Sequence, residues 1–322
     1  MQTRRTLLAL LCLTAAVCPA LAQDRYPSRP VKVISPAPAG SAADVRARLI
    51  AHELGRTWGQ QTVVENRPGA GGILGVQAAL SAPADGHTLL LAPGSIFTIL
   101  PAQKEKVPFD VNRDLAPIGL VSLEGAIIAV SPKLNINTLG ELIALAKKEP
   151  HTIVIGTSAA GSFPHFAGLL FAERSKAPFT VVPYSKGGTV EAIRDIIGGR
   201  VHAVVEPRAG LLGALDAGQL KALAIMTDER LATMPNLPTA TETTPGLRAV
   251  GWQGLVAPRG TSEPIVRQLR DDLRKVFNSP DVQAKLQQIG APVPPVYGTD
   301  FARFIEDEQK LWWPMVRQFN AQ

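Results

Sequence analysis

Two stretches of small and hydroxylated residues are where this chain's backbone could do chemistry. Ser35-Pro36-Ala37-Pro38-Ala39-Gly40-Ser41 follows one β-branched run, and Gly156-Thr157-Ser158-Ala159-Ala160-Gly161-Ser162-Phe163-Pro164 follows another. Each leads into a helical pattern, so each ends at a helix N-terminus, where the N–H groups are unpaired and positively polarised. An anion, a carboxylate included, can be held there without Lys or Arg. The first loop offers the amides of Gly40, Ser41 and Ala42. The second offers those of Gly161 and Ser162 and the hydroxyls of Thr157, Ser158 and Ser162. Either loop alone reads equally as an ordinary strand-to-helix turn that needs glycine for its geometry. Two of them, one in each half, point to two similar domains facing a shared cleft.

Glu206 closes the apolar run 201–205 at the expected cleft edge. Its carboxylate could accept a hydrogen bond from a ligand ammonium or hydroxyl, or repel a second carboxylate; the alternative is a pair with Arg208 or Arg200. Tyr184 is either a cleft wall with a polar handle or a packed residue at a strand end. His165 is expected to pack or cap its helix. Catalytic patterns fit less well. The run 156–161 is not a G-x-S-x-G elbow, because its second glycine comes one position late. Gly69-Ala70-Gly71-Gly72-Ile73-Leu74-Gly75 is one residue too long for a dinucleotide loop. The five histidines lack metal-ligand spacing, so neither metal nor cofactor is expected. An exported serine hydrolase using the second loop is the main alternative, and a sensor subunit signalling to a receptor kinase is a third.

The elements that must position these groups alternate strand and helix, which argues for α/β units with parallel strands. Strands are expected at 31–34, 63–64, 88–91, 126–130, 153–155, 180–182, 202–205 and 222–226. Helices are expected after Ser41, after Thr138 with Glu141 completing a capping box, after Ser162, at 189–197 up to Gly198-Gly199, after Ser262 and at 301–316. Pro164 suits the first turn of its helix. Trp252, Trp312 and Trp313 are expected in the core or in helix packing.

The chain has 322 residues, 46% hydrophobic and 19% charged, with a formal net charge of +6. That excludes disorder, and a charge so thinly spread, without a Lys/Arg run, argues against nucleic-acid binding. Residues 1–22 read as a signal peptide: Arg4-Arg5, an apolar stretch from 7 to 17, then Ala20-Leu21-Ala22 before the expected cleavage. Both cysteines, Cys12 and Cys18, lie within it, so the mature protein has no thiol chemistry.

With these segments in place, the chain resembles the Bug family, the periplasmic substrate-binding receptors of tripartite tricarboxylate transporters. The resemblance rests on Val64-Glu65-Asn66-Arg67-Pro68-Gly69-Ala70-Gly71-Gly72, Ala84-Asp85-Gly86-His87-Thr88-Leu89-Leu90, Val182-Pro183-Tyr184, Arg230 with Met234-Pro235-Asn236-Leu237-Pro238-Thr239, and Trp252-Gln253-Gly254-Leu255-Val256-Ala257-Pro258. It implies two doubly wound α/β domains joined by two crossovers, closing on a ligand like a flytrap: 23–123 with 248–322, and 124–247. Carried over, the family's ligand loops fall on Ala39, Gly40, Ser41 and Asp44, and on Thr157, Ser158, Gly161, Ser162 and His165, with Asp44 expected to cap its helix instead. Ala37 stands where the family usually has an aromatic residue, Ser41 where it has a second glycine, and Glu206 where aspartate is common. The opened Ala37 position favours an aromatic or dicarboxylic acid. The expectation is thus a monomeric, non-catalytic periplasmic receptor that hands a small organic carboxylate to membrane permease subunits.

Overall fold

The computed structural model describes residues 26–103, 107–184, 188–231, 233–288 and 296–320. The expected signal peptide, 1–22, lies outside them.

Among the described residues, nine strands make one hydrogen-bonded sheet. They are β1 (Val31–Ser35), β2 (Thr62–Asn66), β3 (Thr88–Pro93), β4 (Leu115–Val130), β5 (Val154–Ser158), β6 (Thr180–Tyr184), β7 (Ala203–Pro207), β8 (Lys221–Ile225) and β9 (Val250–Pro258). Their order is β2-β1-β3-β9-β4-β7-β5-β6, with β8 also on β4. β1 pairs parallel with β2 and β3, and β5 with β6 and β7, as alternating strand and helix predicts. β4 and β9 depart from that prediction, since they run antiparallel to their neighbours.

β4 joins the two halves. From Leu115 to Gly125 it pairs with β9; from Ala126 to Val130 it pairs with β7 and β8. The strand expected at 126–130 is therefore only the end of a 16-residue strand that changes sheets. The chain crosses again where the amide of Ala126 donates to the Ala249 carbonyl at 3.2 Å and that of Ala249 to Met226 at 3.0 Å. A side chain is excluded there: a Cβ on Gly251 would lie 2.7 Å from Phe163.

Helices cover both faces of each half, burying the apolar alternation of the strands. In the first half, the helices Ala42–Trp58 and Glu263–Phe277 enclose Leu54, Leu89 and Leu269 on one face, and Phe97, Leu90 and Phe301 fill the other. In the second, Leu142, Phe166 and Phe171 pack on one face and Ile196, Val204 and Leu211 on the other. The terminal helix, Gly298–Asn320, buries Phe301 and Ile305 in the first half but Trp312 and Val316 in the second. It ties the halves together.

Local signals mostly act as anticipated. Thr138 Oγ1 accepts the Glu141 amide at 3.2 Å, while the Glu141 carboxylate takes the amide of Asn137 rather than that of Thr138. Ser262 stands at the start of its helix without a side-chain capping bond. The glycines at 69–72 form a tight turn into the helix Ile73–Leu80, with Gly71 and Gly72 at positive φ, so they serve a bend.

Candidate functional site

The two loops share one local design. Gly40 sits at φ +78° and Gly161 at +79°, in the left-handed region that glycine adopts without strain. The next residue caps a helix in each case: Ser41 Oγ accepts the Asp44 amide at 3.2 Å, and Ser162 Oγ accepts the His165 amide at 3.4 Å. The side chain three residues beyond each serine then reaches back to the glycine. Gly40 N–H donates to Asp44 Oδ2 at 2.8 Å, and Gly161 N–H donates to His165 Nδ1 at 3.3 Å. Both residues therefore cap, and the glycine amides are engaged within the protein. Asp44 also accepts from Asn66 at 2.8 Å and from Arg48 at 3.0 Å. Burial pushes its carboxyl up, but the bonds from Asn66, Gly40 and Arg48 outweigh this and hold it below the usual range. Burial alone pushes the imidazole of His165 below its ordinary value.

Glu206 is 2% exposed and pairs with neither Arg200 nor Arg208. Arg200 is bound to Asp195, and Arg208 donates to the carbonyl of Gln288 at 3.0 Å. Glu206 instead accepts the amide and hydroxyl of Ser158, with the Thr189 hydroxyl adding a third bond. Burial pushes its carboxyl up to about 7, against the pull of those bonds, so it exchanges a proton near neutrality. Tyr184 donates to Asp195 at 2.7 Å, and burial with that carboxylate pushes its hydroxyl up to about 12.

A cavity of about 810 Å³ lies between the two halves. Gly40, Ser41, Ser158, Tyr184 and Glu206 line it, and Ser162 lines a smaller adjoining chamber. Ala37, Ala39, Thr157, Gly161 and His165 are not among these lining residues. Thr157 is fully buried and Ala39 exposed, while Ala37 is half-buried with its carbonyl held by Asn66 at 3.0 Å. Four helices begin at the cavity wall, at Ala42, Phe163, Gly188 and Arg208, with Ala43, Pro164, Thr189 and Ala209 of their first turns in the lining. The N-terminal ends of four helices therefore border one space. Among the described residues, Arg46, Tyr184 and Glu206 are the titratable residues of that lining, and Arg46 is already paired with Glu124.

Arg46, Glu124 and Gln253 escaped the sequence reading. Arg46 comes from the helix Ala42–Trp58 and reaches Glu124 on β4, while its Nε donates to Gln253 on β9. All three are more than nine-tenths buried. One signal for them exists: Glu124 interrupts an otherwise apolar run at 115–130.

The family model described as the tripartite tricarboxylate transporter family receptor matches residues 46–321. Protein BugT of Bordetella pertussis is 33% identical, over 98% of this chain and 96% of that protein. Among solved structures, an R. palustris protein with adipate superposes with a TM-score of 0.84 at 29% identity, covering 92% of this chain and 98% of that one. MatC from Rhodopseudomonas palustris with bound malate gives 0.78 at 30%, covering 90% and 100%. These relatives are solute-binding receptors, not enzymes. The family's receptors are periplasmic, and among the described residues no helix is long and apolar enough to cross a membrane.

Proposed function

Because the chain belongs to the tripartite tricarboxylate transporter family of receptors, we propose that it captures a small organic carboxylate between its two halves and delivers it to the permease subunits of such a transporter. The single observation that carries this reading is that four helix N-termini border a cavity in which Arg46, the one cation among the described lining residues, is paired with Glu124. Oriented N–H groups stabilise an anion there without a counter-charge to desolvate. The adipate and malate bound by the similar structures support the ligand class. In this reading 1–22 is a cleaved export signal, 23–123 with 248–322 and 124–247 are the two domains, and the receptor works as a monomer. Gly40, Ser41, Ser158, Ser162, Tyr184 and Glu206 meet the ligand, with Ala37, Ala39, Thr157, Gly161 and His165 shaping the loops behind them.

Closure follows from contacts that both halves make to one ligand, since only differential binding shifts an open–closed equilibrium. The test is a thermal-shift screen of residues 23–322 against mono- and dicarboxylic acids, aliphatic and aromatic. At least one acid should raise the melting temperature, as a ligand selective for the native state must. A panel without any shift would overturn the proposal.

A further inference from the structure

Behind the main cavity lies a chamber of about 210 Å³ that shares Ala43, Arg46, Pro164 and Pro207 with it. An engineered cavity of about 150 Å³ already admits benzene, so this space can take a substantial part of a ligand. Its floor is polar by construction. Ser122 and Glu124 alternate on one face of β4, and Gln253 stands directly opposite Ser122 on β9. Arg46 binds Glu124 through one carboxylate oxygen and Gln253 through the amide oxygen. That leaves Glu124 Oε2, Gln253 Nε2 and Ser122 Oγ buried without a protein partner, and Arg46 Nη1, ion-paired with Glu124, without a hydrogen bond. Buried polar atoms are normally satisfied, and four together in one chamber point to a group that completes them.

The chemistry of that group can be read from what is left over. Gln253 Nε2 and Arg46 Nη1 donate, Glu124 Oε2 accepts, and the Ser122 hydroxyl does either. The charges of Arg46 and Glu124 cancel, and the guanidinium already faces its carboxylate. A second ligand carboxylate would meet Glu124 with no free cation to compensate. A neutral group that both donates and accepts, a hydroxyl or a carboxamide, offers a proton to Glu124 and an acceptor to the donors. Trp252, Trp312, Phe163 and Ile99 supply apolar walls for the segment leading to it.

Building on the carboxylate-receptor reading, we infer that this chamber is a specificity subsite that receives the far end of the ligand, a neutral hydroxyl or carboxamide on an apolar spacer. The carboxylate stays at the helix N-termini of the outer cavity. The preferred ligand class is therefore a hydroxy or carbamoyl monocarboxylate, rather than a dicarboxylate of the same length.

Calorimetric titration of residues 23–322 with two matched series tests this. The first is hexanoate, 6-hydroxyhexanoate, adipamate and adipate; the second is 3-phenylpropanoate and its 4-hydroxy derivative. In whichever series binds, the hydroxyl or amide member should be about tenfold tighter than the plain acid, the gain expected of one or two buried hydrogen bonds. S122A should reduce that preference. Adipate or a plain acid as the tightest ligand overturns the subsite and leaves the receptor reading standing, and so does a preference untouched in both S122A and Q253L. Absence of binding by every member overturns both. The wild-type ranking stands independently of whether either variant folds.

Discussion

The two strand-to-helix loops have nearly superimposable designs and different electronics. Gly40 and Gly161 share one backbone conformation, Ser41 and Ser162 share one capping role, and Asp44 and His165 return to the glycine amide in the same way. Asp44 makes its lock with an anion that Asn66 and Arg48 also hold, at a helix end that favours negative charge. His165 makes it with a neutral ring whose Nδ1 must stay unprotonated to accept. One loop is fixed over the whole neutral and mildly acidic range, whereas the other can be unfastened by a proton. Equivalent backbone geometry thus leaves room for unequal stability.

The largest expected effect follows from that inequality. D44A leaves the Gly40 amide, Asn66 and Arg48 without their acceptor and should cost about 3 kcal/mol in denaturant unfolding, against about 1 kcal/mol for H165A, which orphans one amide. Equal losses would break the comparison. Its pH form has a definite sign. Asp44 is depressed, so its contribution is present above the ordinary carboxylate value of 3.8 and lost only as pH falls through its lowered value. His165 is also depressed, so the unfolded chain takes up the proton first. Its contribution is full above 6.5 and is lost as pH falls below that. Between pH 4 and 6 the second loop should therefore gain amide hydrogen exchange at Gly161 while Gly40 remains protected.

Glu206 sharpens the contrast, because it sits on the second loop's side and titrates in the opposite sense. Its carboxyl rises from 4.5 to about 7, so the native state holds a proton that the unfolded chain releases. Its contribution is complete below pH 4.5 and declines by about 3 kcal/mol as pH climbs to 7. E206Q keeps an acceptor for Ser158 and should flatten this slope in chemical denaturation. An unchanged slope would remove Glu206 from the account. Binding of a carboxylate should also be accompanied by proton uptake here between pH 6 and 8, the other titratable lining residues among those described being Arg46 and Tyr184.

The smallest effect separates the glycines. A Cβ at Gly40 meets nothing within 4 Å, whereas one at Gly161 falls 2.8 Å from the end of the Gln103 side chain. G40A should cost about 1 kcal/mol of left-handed strain and G161A roughly a further 1 kcal/mol to displace Gln103.

The caps were legible because they depend on neighbours in sequence. Gly-Ser before a helix states its own geometry, and the short strands before each loop follow from β-branched runs. The partners of Glu206 and Arg46 were not legible, since each lies across the fold. Ser158 is 48 residues from Glu206, and Gln253 is 207 from Arg46. Arg46 on an amphipathic helix reads as solvent-facing until β4 and β9 enclose it. The length of β4 was hidden by Pro117 and Gly119, where its register shifts. The terminal helix shows one continuous apolar stripe whose division between two cores emerges only when both halves are assembled.

The central claim is that helix N-termini, and not a paired cation, hold a ligand carboxylate. Its most direct test is isothermal titration of residues 23–322 with the tightest acid of the panel and, separately, with that acid's methyl ester. The account predicts one saturable site for the acid and at least a hundredfold loss for the ester, about 2.7 kcal/mol at ordinary temperature. Equal affinity for acid and ester, or no heat from any acid, would contradict it.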